Sequence, residues 1–187
     1  EPAHKRYLND FFTGKHPGSD SRGELYNDDP VTQDARFCGT TASMCGIEAA
    51  LFEKNDEKLE RGIREDLMLH AYMLTQSGIP MLYSSDEVGR LNDYSYKDDP
   101  DKAADSRYIH RGAFQWDLAK KRKSKTSVEG QIFQTLSRME QIRRQESVFD
   151  KDCDVYTYDV HDDSILCILR QKGNERFIGI FNFSDSE

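Results

Sequence analysis

The chain is 187 residues long, with 36% hydrophobic residues, 32% charged residues and a formal net charge of −8. That length admits one domain, or one domain and a small part of another, and the apolar content is enough for a core. An acidic surface lacks the basic face that nucleic acid or an anionic membrane needs, and no apolar run approaches the ~20 residues that cross a bilayer, so neither partner is expected.

The chain opens at Glu1 rather than at Met and shows no signal-peptide pattern, so its natural start is expected to lie elsewhere. A helix is predicted from His4 to Phe12, with Tyr7, Leu8, Phe11 and Phe12 on one side. A polar stretch rich in Gly and Asp follows from Thr13 to Asp34, longer than an ordinary connector and read either as a functional loop or as a surface loop. A second helix, rich in small residues, is predicted from Thr41 to Phe52. The clearest helical period runs from Asp56 to Gly78, through Leu59, Ile63, Leu67 and Leu74, with Gly78 as its stop and Pro80 barring continuation. The short apolar run Ile79–Tyr83 then reads as a buried strand, and helix, tight turn, buried strand is the unit of a parallel α/β fold.

From Ser84 to Lys125 no period is sustained, and the basic cluster Lys120–Lys125 reads as a solvated loop. Thr126 and Glu129 have capping-box spacing and open another helix through Ile132, Phe133, Leu136, Met139 and Ile142. Beyond Glu146 the period becomes two. Val155–Val160, Ser164–Arg170 and Glu175–Phe183 read as antiparallel strands with turns at Asp162-Asp163 and Lys172-Gly173-Asn174. Cysteines at 38, 45, 153 and 167 have no Cys-x-x-Cys spacing and the histidines are scattered, so reduced thiols in a cytoplasmic protein are expected, with no metal site and no cofactor.

Several segments carry a family resemblance. Gly78-Ile79-Pro80-Met81-Leu82-Tyr83-Ser84-Ser85-Asp86-Glu87-Val88-Gly89 resembles the eighth strand, and the loop after it, of the α-amylase family barrel, with Ser85 where most members have Gly. Asp105-Ser106-Arg107-Tyr108-Ile109-His110-Arg111 resembles the Asp-Ser-Arg-aromatic-x-His-Arg segment of amylosucrases and sucrose hydrolases. Phe114-Gln115-Trp116-Asp117 is similar to the segment that follows it there. Asp34-Ala35-Arg36-Phe37-Cys38-Gly39-Thr40 is similar to an amylosucrase Asp-x-Arg-x-x-Gly-Thr element. Lys5 and Tyr7, and Asn27, Asp28 and Asp29, depart from the residues usual in that branch.

The resemblance implies an α/β fold: the C-terminal portion of a TIM-type (β/α) barrel over residues 1–147, then the start of an antiparallel β-sandwich-like domain over 148–187. It implies a retaining α-glucosyl-transferring or hydrolysing enzyme acting on sucrose or an α-glucan. The nucleophile, the general acid and the third carboxylate of the family lie on earlier strands, so no catalytic residue is assigned and the chain alone is expected to be inactive. The Asp86-Glu87 pair is structural in the family. Arg107 matches a residue that closes the pocket around the cleaved glucosyl unit, Arg36 one that lines the acceptor side, and Asp105 is placed to orient Arg107. A plain surface arginine is the alternative at both arginine positions. His110 and Arg111 are read as loop-packing residues and Trp116 as a packing anchor. A maltodextrin- or trehalose-active relative, a non-catalytic α-amylase-like domain and a free-standing sugar-binding module are the competing readings. An exposed half-barrel surface could also support an oligomer.

Overall fold

A computed structural model describes residues 2–184. The described residues form six α-helices, a two-stranded sheet and a three-stranded sheet, both antiparallel. They divide into two compact units, one taking the chain up to Asp66 together with Tyr83–Phe133, the other Leu67–Leu82 and the chain from Gln134 onward.

In the first unit, α1 (Pro2–Phe12) lays Phe12 on Phe37 with ring centroids 4.6 Å apart. Phe37 belongs to a ribbon of β1 (Glu24–Tyr26) and β2 (Arg36–Cys38), in register Glu24 opposite Cys38 and Tyr26 opposite Arg36. The connecting loop turns on Asp29, whose Oδ1 accepts from the N–H of Val31 at 2.8 Å and Thr32 at 3.2 Å. These backbone bonds, Val31 first, hold the Asp29 carboxyl below its ordinary range. The stretch read as irregular is therefore partly a hairpin. The helix expected over Thr41–Phe52 is divided into α2 (Thr41–Met44) and α3 (Ile47–Glu53) because Gly46 takes φ 83°, a left-handed conformation that interrupts the helical ladder. Close packing needs a second glycine, Gly62, where a Cβ would stand 2.7 Å from the Cys45 carbonyl oxygen.

The helix α4 (Asp56–Thr75) starts on Asn55, whose Oδ1 accepts from Lys58 N at 3.0 Å, with Asp56 and Glu57 in the first turn favoured by the helix dipole. After the five-residue α5 (Trp116–Lys120) comes α6 (Val128–Gln145). Its cap is Ser127, not Thr126: Ser127 Oγ accepts from Gly130 N at 3.1 Å. Both α4 and α6 continue from the first unit into the second.

In the second unit, β3 (Asp154–Tyr158), β4 (Ile165–Lys172) and β5 (Glu175–Asn182) form an antiparallel meander. Its inner face carries Ile168, Arg170 and Phe181, with Tyr72 of α4 edge-on to Phe181 at 5.7 Å. Arg170 is 1% exposed. Its Nε donates to Val148 O at 2.8 Å, its Nη1 to Thr75 O at 2.8 Å and its Nη2 to Cys153 Sγ at 2.6 Å. Arg143 of α6 donates to Leu74 O, to Gln76 O at 3.1 Å and to Gly78 O at 2.8 Å. Two guanidiniums thus satisfy the carbonyls a helix leaves open at its C-terminus, where positive charge is favoured. Phe149 has the Arg143 and Arg170 guanidinium carbons at 5.5 and 5.2 Å from its ring centroid.

The barrel expectation is overturned. No portion of a TIM barrel is formed by the described residues, and the predicted strand Ile79–Tyr83 belongs to neither sheet. Ile79 is 93% and Met81 81% exposed. A buried parallel strand needs neighbours on both sides to satisfy its backbone and helices to cover both faces, and neither sheet supplies a parallel neighbour. With the barrel goes the half-barrel surface considered for oligomers. Among the described residues the C-terminal β region is one three-stranded antiparallel sheet.

Replacing Arg170 by Met should cost about 3 kcal/mol in urea unfolding, because the buried Val148 and Thr75 carbonyls lose their charged donor. A loss below about 1 kcal/mol would show that Arg170 is not a structural linchpin.

Candidate functional site

The segment after Tyr83 contributes little regular structure, so its backbone is held by side chains. Asn92 Oδ1 accepts from Thr40 N at 2.8 Å, its Nδ2 donates to Arg22 O at 2.9 Å, and its own N–H donates to Ser43 Oγ at 2.9 Å. Arg90 is buried and its Nη1 donates to Gly112 O at 2.6 Å. Asp93 N donates to Ile109 O at 2.8 Å, and the Asp93 side chain caps a 3-10 turn at Tyr94–Asp98. Asp105 caps a second such turn, Ser106–His110.

These turns press against one face of the β1–β2 ribbon. Glu24, Tyr26, Arg36 and Cys38 share that face, since paired residues point the same way and alternate residues repeat it. Ile109 and Tyr96 pack on Cys38, with Tyr26 and Tyr108 against the cluster. Ser106 Oγ donates to Leu25 O at 2.8 Å, which fixes the turn along β1. Glu24 accepts from the Tyr96 hydroxyl and from the Lys97 ammonium. Burial, then the bond to Glu24, pushes the Tyr96 phenol above its ordinary range.

Arg107 leaves this turn with its guanidinium carbon 4.3 Å from the centroid of the Tyr26 ring. Asp105 Oδ1 accepts from Arg107 Nε at 2.8 Å, and Oδ2 from Nη2 at 2.7 Å. The same Oδ1 accepts the Arg107 backbone N–H at 3.0 Å. The fork and the turn cap are therefore one device. Its hydrogen bonds hold the Asp105 carboxyl down at about 2 and push the Arg107 guanidinium upward. The fork uses Nε and Nη2 of Arg107 and does not engage Nη1. Arg36 is exposed and lies across the ribbon from Tyr26.

Of the three residues singled out in the sequence, Asp105 and Arg107 are in direct contact with each other and Arg107 lies over Tyr26, while Arg36 is the strand partner of Tyr26 with no contact to the fork shown. Tyr26 itself was missed. Its signal is the Glu24-Leu25-Tyr26 alternation, easily lost inside a polar stretch. The arrangement is suited to holding a neutral polyhydroxyl ligand or an anion by hydrogen bonds. It is not suited to moving protons, because Asp105 stays ionised and Cys38, raised chiefly by burial, is a poor thiolate.

Elsewhere, Asp86 Oδ2 accepts from Thr41 Oγ1 of α2 at 3.2 Å and Glu87 Oε2 from Ser85 N at 2.8 Å, so the adjacent carboxylates diverge, one to α2 and one into the local turn. His110 sits edge-on to Tyr83 at 5.5 Å, and its imidazole is held below its ordinary range by burial and then by Arg111 and Arg90. Arg111 lies 5.7 Å from the Tyr108 ring centroid. Trp116 is largely exposed beside Phe114 at 4.8 Å. In the second unit a depression of about 430 Å³ is lined by Leu74, Pro80, Leu82, Glu140, Arg143 and Arg144. Its Arg143 is engaged with carbonyls at and just beyond the end of α4, which makes this the weaker candidate.

No protein-family model matches the chain. Among the described residues, no group of three or more His, Cys, Asp or Glu is placed to hold a metal ion, and no helix is long and apolar enough to cross a membrane.

A carboxyl whose folded pKa is depressed contributes stability above its unfolded value, near 3.8, and that contribution disappears as pH falls through about 2. Carbon-detected NMR should find Asp105 titrating near 2, and Arg107→Met should return it toward 3.8. An unchanged titration in the variant would dismiss the fork.

Proposed function

We propose that this chain supplies the sugar-holding element of a retaining α-glucosyl-transferring or hydrolysing enzyme related to the amylosucrase branch of the α-amylase family. Sucrose or an α-glucan is its ligand, and the reacting carboxylates belong to polypeptide outside the 187 residues. The observation that carries this reading is the Asp105–Arg107 fork seated on Tyr26, formed within the segment whose residues resemble the sucrose-active enzymes.

The chemistry is that of positioning. A guanidinium oriented by its own carboxylate has lost its rotamer freedom before any ligand arrives, so a hydrogen bond from Nη1 to a sugar hydroxyl or to another carboxylate costs less entropy. Arg36 offers further donors from the same ribbon face and corresponds to the acceptor side in the proposed relationship. Fixing the sugar in this way would lower the barrier only for a reacting group supplied elsewhere.

Calorimetric titration of sucrose and of maltotetraose into the full chain tests the reading. Saturable binding of at least one sugar is expected, weakened about tenfold in Arg107→Ala, the loss of one charged hydrogen-bonding group. No fructose or glucose should be released from sucrose. Binding unaffected by Arg107→Ala, or absent for both sugars, would overturn the assignment of the site. Release of fructose by the chain alone would overturn the placement of the carboxylates.

A further inference from the structure

Among the described residues, the outer face of the three-stranded sheet is largely apolar and exposed. Strand register places its side chains in rows: Asp154, Gln171 and Arg176; then Tyr156, Leu169 and Ile178; then Tyr158, Cys167 and Ile180; then Ile165 beside Asn182. Tyr156 and Tyr158 are 47% and 52% exposed, Ile178 and Ile180 61% and 68%. These four side chains alone present on the order of 500 Å² of surface, in the upper range of the largest apolar patch on an ordinary monomer. With half-buried Leu169, Cys167 and Ile165 and the polar rim, the face supplies most of the ~800 Å² per partner that a specific interface requires.

The charges on this face are self-complementary. Asp154 and Arg176 occupy opposite lateral edges of the same end row, Asp154 on β3 and Arg176 on β5. Consider a second copy laid face to face about a two-fold axis parallel to the strands. The rows keep their order and the edges exchange, so β4 covers β4, and β3 covers the β5 of the other copy. Asp154 of each copy then meets Arg176 of the other, twice per pair, while the tyrosine rows lie over the isoleucine rows. Such an arrangement has the closed, isologous form usual for homodimers and the aligned packing of a β-sandwich.

We propose that the chain forms a homodimer by stacking this sheet face, with Asp154 paired to Arg176 across the two-fold axis. Burial of the Tyr156, Tyr158, Ile178 and Ile180 cluster drives association, and the two ion pairs select this orientation over its reverse, which would leave both end rows without their partners.

Sedimentation velocity of the full chain from about 1 to 100 μM tests it, a range that spans ordinary dimer affinities. A concentration-dependent monomer–dimer equilibrium is expected. Ile178→Glu combined with Ile180→Glu should give monomer throughout, with circular dichroism and melting confirming that the exposed-face variant folds. Asp154→Arg alone sets Arg against Arg176 twice and should raise the dissociation constant about tenfold, as should Arg176→Asp. The double exchange Asp154→Arg with Arg176→Asp should restore it to within about threefold. A monomer at every concentration, a dimer that survives the Glu substitutions, or single reversals without effect would each overturn the proposal.

Discussion

A long segment with no ladder of its own must still satisfy its backbone, and the candidate site depends on how this chain does so. Between Tyr83 and Gln115 short turns replace helices and strands. Asn92 joins this segment to the carbonyl of Arg22 and the amide of Thr40, and Ser43 receives the Asn92 backbone. Asp93 and Asp105 cap the two turns that follow. Without these contacts the segment would pay the full cost of ordering a loop for little burial in return. With them, Ser106–His110 becomes a fixed platform beside the β1–β2 ribbon.

The platform explains how Arg107 is held in one orientation although its side chain is not buried. Asp105 is at once the turn cap and the carboxylate of the fork, so the conformation that makes the turn also aims the guanidinium. Tyr26 closes the opposite side. Exposed ion pairs add little to stability, because solvent screens them and ordering the side chains costs entropy. The value of this pair lies in orientation. The second unit uses arginine differently: Arg143 and Arg170 are committed to the carbonyls that end α4 and flank it, with Phe149 near both guanidiniums.

What could be read from the sequence followed the strength of its periods. α4 and α6 carry apolar residues at helical spacing over many turns, and β3 to β5 alternate between clear turn signals, so all were located closely. The ribbon strands are three residues each inside a polar stretch and leave almost no periodic signal. Ile79–Tyr83 failed for another reason. An apolar run states that burial would be favourable but not that neighbours exist to provide it, and here Ile79 and Met81 stay in solvent. Arg170 was hidden because Ile165 to Leu169 are apolar on both faces, so alternation could not say which face is inner. At the site, the close spacing of Asp105 and Arg107 made their contact readable. The approach of Arg107 to Tyr26, far away in the chain, depended on the hairpin and was not.

A crystal structure of the chain grown with maltotetraose or sucrose tests the central claim most directly. The sugar should lie against the Nη1 edge of Arg107, on the ribbon face that carries Tyr26 and Arg36, with the Asp105–Arg107 fork intact. A sugar bound elsewhere, or a fork that opens to admit it, would contradict the claim that this platform is built in advance to hold a glucosyl unit.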